Sequence, residues 1–215
     1  MTRLVREDGV AKGATVRATL QFIRAEHGEE TLAAVIGALP GELRERVVAI
    51  DATAELAYSE LLSLWRAADA ELREREPGWV ERSGAFSIGS SGAQLYGGIL
   101  RKRSPNEFLT QSVSLFQLYY YPGDMEVVEE DESRAVLRLS GFDSRDPLFC
   151  RRQTGGLSQA LRMAGGGRPV VKHVRCVHEG DAFCEWELAW SMEAEGDGQG
   201  GSAAWAAAPG EQPND

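Results

Sequence analysis

The spacing of apolar residues along this chain changes from helical to alternating and back, and each change marks an element. From Ala14 the apolar positions Val16, Leu20 and Ile23 fall near helical spacing, with Gly28 as the stop. A second short helix is predicted over 29–38, closed by Pro40-Gly41, and a further turn or two over 42–48. Thr53 or Asp51 caps a long helix reaching about Glu71, which gathers Leu56, Leu61, Leu62, Leu64 and Trp65 near one face. Pro77-Gly78 opens the next helix, whose middle, SGAFSIGSSGAQLYGG, is crowded with small residues. A glycine inside a helix costs up to about 1 kcal/mol relative to alanine, so the run needs a reason: close packing by a neighbouring helix, or room for a ligand. Packing is the simpler reason. Ser104, Pro105 and Glu107 form a capping-box start for a helix carrying Phe108, Leu109, Val113, Phe116 and Tyr120 up to Pro122-Gly123.

The period then becomes two. Met125, Val127, Val136, Leu137 and Leu139 alternate with polar residues around the acidic turn EEDES, a hairpin pattern. Helical spacing returns from Asp146-Pro147 to Gly165-Gly166-Gly167, and a second hairpin is predicted from 170–177 and 183–190 around Glu179-Gly180-Asp181. Helices, hairpin, helix, hairpin give an α+β fold, with N-terminal helices packed on a four-stranded antiparallel sheet. Residues 1–13 read as a flexible or strand-like lead-in, 14–191 as one domain, and 192–215, rich in Gly, Ala, Pro and acids, as a disordered tail.

Charge narrows the function classes. The formal net charge is −10, and half of it falls after Met192, on Glu193, Glu195, Asp197, Glu211 and Asp215. The body is still acidic, which argues against nucleic acid, since neutralising phosphates takes clustered Lys and Arg. The dense basic cluster Arg101-Lys102-Arg103 reads as a solvated helix end. No stretch approaches the roughly 20 apolar residues of a membrane span, and the charged N-terminus lacks the apolar core of a secretion signal, so the cytoplasm is the expected compartment.

The stretch VKHVRCVHEGDAFCEW, residues 171–186, holds two of the three cysteines and two of the three histidines. A three-residue turn at 179–181 sets Cys176 opposite Cys184 on one face of the hairpin, with Cβ atoms about 4.5–5.5 Å apart. Two thiolates on one tetrahedral zinc, each at about 2.3 Å, stand about 3.8 Å apart, so the pair fits a shared metal. A cross-strand disulfide also fits but suits a reducing compartment poorly. Buried free thiols are the third alternative. Cys150 would join from the start of the preceding helix, and the fourth ligand is His173 or His178. Pleat parity favours His178; a bulge near Val174 would favour His173.

Cys176, Gly180-Asp181, Cys184 and the Phe183/Trp186/Leu188 alternation resemble the closing hairpin of 4-vinyl reductase domains. The span from about Gly13 to Trp190 resembles a bacterial paralogous group, known mainly from myxobacteria, related to 4-vinyl reductase and haem-NO-binding domains; TRAPP-like proteins share that domain. In the aromatic-compound sensors of the 4-vinyl reductase family, zinc is held by three cysteines spaced like Cys150, Cys176 and Cys184, and by a glutamate at the position of His173. The resemblance therefore implies structural zinc on Cys150, His173, Cys176 and Cys184, with His178 in reserve. It also implies a non-enzymatic sensory domain, a homodimer and an unidentified signalling partner.

It further implies a small hydrophobic ligand held between helices and sheet. Trp65, Phe86, Tyr96, Phe108, Val113, Phe116, Gln117 and Tyr120 are the pocket candidates, plain core packing being the alternative. A protein-interaction adaptor with a self-filled pocket, as in the trafficking relatives, is the runner-up; a zinc enzyme with an open coordination position is third. Haem is not expected, because the helical histidine and the Tyr-x-Ser-x-Arg motif of the haem-NO-binding branch are both missing and His27 lies too near the first helix. Gly89-Ser90-Ser91-Gly92 lacks a nucleophile-elbow pattern, and Gly165-Gly166-Gly167 runs from helix into strand, the wrong order for holding phosphate.

Overall fold

The computed structural model describes residues 8–92 and 104–192. The lead-in before residue 8, Tyr96, the Arg101-Lys102-Arg103 cluster and the tail beyond Met192 lie outside them. Among the described residues, two antiparallel sheets organise the fold. Strands β1 (Val10–Lys12), β2 (Glu55–Ala57) and β3 (Tyr120–Tyr121) form the smaller, in the order β2-β1-β3. The larger has β4 (Asp124–Glu130), β5 (Arg134–Ser140), β6 (Gly166–Arg175) and β7 (Cys184–Met192), in the order β4-β5-β7-β6.

The described helices are α1 (Gly13–Gly37), α2 (Gly41–Ala49), α3 (Tyr58–Leu72), α4 (Trp79–Ser87), α5 (Pro105–Tyr119) and α6 (Pro147–Met163), with a π-turn at Ile88–Gly92 after α4. None is long and apolar enough to cross a membrane. Local signals place the starts of α5 and α6. The Ser104 hydroxyl accepts from Glu107 N at 3.3 Å, and the Asp146 carboxylate from Leu148 N at 3.0 Å, each ahead of a first-turn proline.

Gly28 breaks helical geometry (φ 83°) at the expected stop of the first helix, and helix resumes at once over the second expected stretch, to Gly37, so that α1 is two helices across a kink. One helix boundary differs from the periodicity. The third helix begins at Tyr58 rather than near Thr53, because Glu55–Ala57 pairs with Lys12–Val10 in the small sheet. Asp51 instead closes a tight turn, its Oδ1 accepting from Thr53 N at 2.8 Å.

In β5 the alternating Ala135, Leu137 and Leu139 are buried, and across the ladder Trp186 and Leu188 of β7 join them. Full burial of a side chain of that size is worth about 1.5–3 kcal/mol, which fixes the face that meets the helices. Off that face Glu185 receives two hydrogen bonds from Arg138, at 3.0 and 2.7 Å, and so remains paired although only 8% exposed. Helices α4 and α6 cross in backbone contact. A Cβ on Gly84 would lie 2.0 Å from the Arg152 carbonyl oxygen, and one on Gly155 would lie 1.8 Å from that of Glu81. Over its described part, the small-residue run is therefore a helix-packing device. The crossing holds the first turns of α6 between the helical core and the sheet, where the chemistry of the chain collects.

Candidate metal centre

Cysteine sulfur and imidazole nitrogen meet at the end of the last hairpin. One donor atom each from Cys150, His173, Cys176 and Cys184 lie within 4.8 Å of one another. The three thiols are free and buried, and His173 is half-buried. Cys150 comes from the first turn of α6, His173 from β6, Cys176 from the residue after β6, and Cys184 opens β7. Cys150 Sγ and Cys184 Sγ stand 3.7 Å apart, against about 3.8 Å for two thiolates on one tetrahedral zinc.

Local backbone explains how an odd-numbered offset brings His173 to the thiols. The β6–β7 register shifts between His173↔Trp186 and Arg175↔Glu185, which places a bulge at Val174. The extra residue turns His173 to the side of Cys176. Beyond the bulge a 3-10 turn, Val177–Glu179, ends at left-handed Gly180. Asp181 locks this turn: its Oδ2 accepts from Cys176 N at 2.8 Å, and its own N–H donates to the Cys176 carbonyl at 3.1 Å. His178, the alternative ligand, is exposed and pairs instead with the Ser144 hydroxyl at 2.7 Å.

Neighbouring groups orient the donors. The His173 ring stacks on Trp186, with centroids 4.6 Å apart. Trp186 Nε1 donates to Thr154 Oγ1 at 2.9 Å, and that hydroxyl donates to the Cys150 carbonyl at 2.9 Å, tying β7 to α6 beside the cluster. His173 Nε2 is buried without a hydrogen bond, an orphan that metal ligation would satisfy. The Cys150–Cys184 hydrogen bond holds the Cys184 thiol well below its ordinary pKa, helped by the adjoining His173 and the Val177 N–H; the same bond, with burial, pushes Cys150 up. Burial raises Cys176. One thiolate stabilised by its neighbours is the state from which a cation is captured with release of the remaining protons.

The pocket candidates separate. Trp65, Phe108 and Phe116 are buried in the core, while Phe86, Val113 and Tyr120 are half-buried against it. Gln117 does not belong with them: it is exposed on α5, its amide donating to Asp124 at 2.8 Å. Tyr58, Phe116, Tyr120, Phe142 and Phe149 form one cluster of ring contacts, with centroids 4.8–6.5 Å apart. His27 meets the edge of Phe22, its Nε2 standing 3.1 Å from a Glu76 oxygen.

Sequence reading missed Arg152. It lies on α6 two residues past Cys150, is 6% exposed, donates from Nη1 to Ser83 Oγ at 2.6 Å, and sits 5.3 Å from the Trp65 ring centre. Its Nη2 has no hydrogen-bond partner.

No protein-family model matches the chain, and no curated protein matches its sequence. Its fold is similar to that of several H-NOX (haem NO-binding) proteins. An Fe(II) unliganded H-NOX protein from K. algicida superposes with TM-score 0.66 at 14% identity, over 86% of this chain and 100% of that one. An H-NOX protein from S. oneidensis in the Fe(II)NO ligation state gives 0.65 at 17%, over 84% and 99%. A third structure, from work on heme distortion in the H-NOX family, gives 0.66 at 12%, over 87% and 100%. At these identities the likeness is one of fold, and it falls on the haem-NO-binding side of the expected resemblance.

These neighbours overturn the expectation that haem has no place here. That expectation rested on missing motifs, whereas proteins sharing the architecture are iron and haem proteins, and axial ligands vary in type. Haem would need an anion receptor for its propionates and an axial ligand. Buried Arg152, with a hydrogen bond unmade, fits the first. For the second, the three histidines are placed at Glu76, at the thiol cluster and at Ser144, and Tyr96 lies outside the described residues. The described residues meet one of the two needs.

Proposed function

We propose that this chain is a non-enzymatic, cytoplasmic sensory domain of the 4-vinyl-reductase and haem-NO-binding type. It takes up a small molecule among its helices, is fastened by one structural zinc ion on Cys150, His173, Cys176 and Cys184, and signals as a homodimer to a protein partner. The four-donor cluster carries the reading. Four protein ligands close a tetrahedral sphere, leaving no position for a reacting water, which is the arrangement of a structural rather than a catalytic zinc. The donors join α6 to both strands of the last hairpin, so the ion acts as a brace. The sensory role is supported by the fold shared with H-NOX proteins. One observation favours an adaptor as second reading: the ring cluster around Tyr58 and Phe149 fills the interior with the chain's own side chains.

Because the neighbours are haem proteins, haem is the first molecule to try. Full-length protein is titrated with haemin, followed by its absorption band and by melting temperature, alongside native mass spectrometry of the protein as purified. A sensory domain gains stability with ligand as RT ln(1 + [L]/Kd). A protein that carries nothing through purification and is stabilised by neither haemin nor any small aromatic or aliphatic probe is the adaptor.

A further inference from the structure

Arg152 stands out among the described arginines. Arg66, Arg138 and Arg151 each pair with a carboxylate: Asp146 at 2.9 Å, Glu185 at 2.7 Å and Glu81 at 2.7 Å. All three are more exposed than Arg152, which is only 6% exposed, yet no carboxylate among the described residues pairs with it. Removing a guanidinium from water without an opposite charge is costly, so an anion that reached Arg152 would offset that cost.

Its surroundings are polar on one side and aromatic on the other. Ser83 Oγ takes Nη1, and the Tyr120 hydroxyl, which also bonds with Thr15, hydrogen-bonds with the guanidinium as well, so that the unmade bond is confined to Nη2. Trp65 lies beside it at 5.3 Å, and the Trp65 indole is held in turn by the Thr19 hydroxyl at 3.2 Å. Ser83 is 0% exposed and gives its own proton to the Val80 carbonyl at 2.8 Å, so its oxygen is fixed as an acceptor for Arg152. One arm of the fork is thus anchored, and the other is left with a donor unused. A carboxylate accepts from such a donor with a charge-assisted bond, and the aromatic wall suits an apolar body attached to it.

We propose that Arg152 is the receptor for the carboxylate of a small, otherwise apolar ligand, with Ser83 and Trp65 positioning the guanidinium. This rests on the ligand-binding reading above and names the chemistry of what is bound. A carboxylate of this kind comes from a free organic acid or from a haem propionate.

The test sets each acid against its neutral isostere on the full chain: benzoate against benzyl alcohol, hexanoate against hexanol, haemin against its dimethyl ester. Affinities come from thermal shift and calorimetry. The acids bind tenfold to a hundredfold tighter than their isosteres, the range of a charge-assisted hydrogen bond. Discrimination by benzoate or hexanoate identifies a free acid; discrimination only by haemin over its ester identifies the propionate. Arg152→Met abolishes the preference and, by removing an unpaired buried charge, leaves the ligand-free protein at least as stable. The isostere comparison needs no variant, so it stands if Arg152→Met fails to fold, and Arg152→Lys then serves as a second variant with a weakened preference. Equal binding of acid and isostere, or a preference that survives in Arg152→Met, overturns the receptor while leaving the ligand-binding reading intact. No binding by any probe overturns both.

Discussion

Stripping the metal tests the brace most directly. The four proposed ligands span 34 residues from Cys150 to Cys184, and an ion shared by them would tie the start of α6 to both strands of the last hairpin. Without an ion the cluster is three buried thiols and an imidazole whose Nε2 has no partner, so binding energy enters folding directly. At free zinc a thousandfold above Kd, the ion stabilises the native state by about 4 kcal/mol. For a domain of this size 1 kcal/mol moves Tm by about 2–4 °C, so removal with a chelator and a thiol-reactive mercurial should lower Tm by about 8–16 °C. Metal analysis of the purified protein should give about one zinc per chain, in keeping with four-donor ligation. Cys184→Ala should abolish binding, and His173→Ala should weaken it, because three thiolates and a water still hold the ion. His178→Ala should leave the metal in place, since its ring is engaged with Ser144. Acidification should release the ion, because protons compete for the same sulfur and nitrogen atoms. Equal Tm with and without chelation, or loss of zinc in His178→Ala to the same extent as in His173→Ala, would refute the assignment.

Two further outcomes follow from packing and burial. Gly155→Ala sets a Cβ 1.8 Å from the backbone oxygen of Glu81, which cannot swing aside, so it should cost about 3 kcal/mol, read as a lower urea midpoint at unchanged slope. Gly37→Ala meets nothing within 4 Å and should be neutral or stabilising by up to about 1 kcal/mol; similar midpoints for the two would show that the crossing is looser than described. Tyr58 is buried, its hydroxyl donating to the Ser144 carbonyl at 3.0 Å, and burial pushes its pKa up. A raised folded-state pKa gives stability that is fully present below the unfolded value, about 10 for Tyr, and lost as pH rises above it. Stability should therefore fall above about pH 10 by up to about 1.4 kcal/mol per pH unit from this group, and Tyr58→Phe should remove that share of the slope; an unchanged slope in the variant would contradict it.

How far the sequence carried the site depended on how local each cause is. Ser104 and Asp146 announce their helices because a cap acts within three residues. The second hairpin is legible because Trp186 and Leu188 alternate with charged residues and Gly180 supplies a left-handed turn end. Strands β1, β2 and β3 are two or three residues long, too short to show a period, and recruiting Glu55–Ala57 into them is what delayed the third helix. His173 illustrates a cause beyond pattern: counting along an ideal strand points it away from Cys176, and only the bulge at Val174, a choice of backbone, reverses it. Arg151 and Arg152 are adjacent and chemically alike in the sequence, yet one helical step of about 100° separates their fates. Arg151 turns outward to Glu81, while Arg152 turns inward beneath Trp65, where Gly84 lets α4 close over its carbonyl. A residue pair that looks like surface charge thus yields one salt bridge and one buried cation with a donor unused, and the difference arises only when two helices approach closely enough to bury one of them.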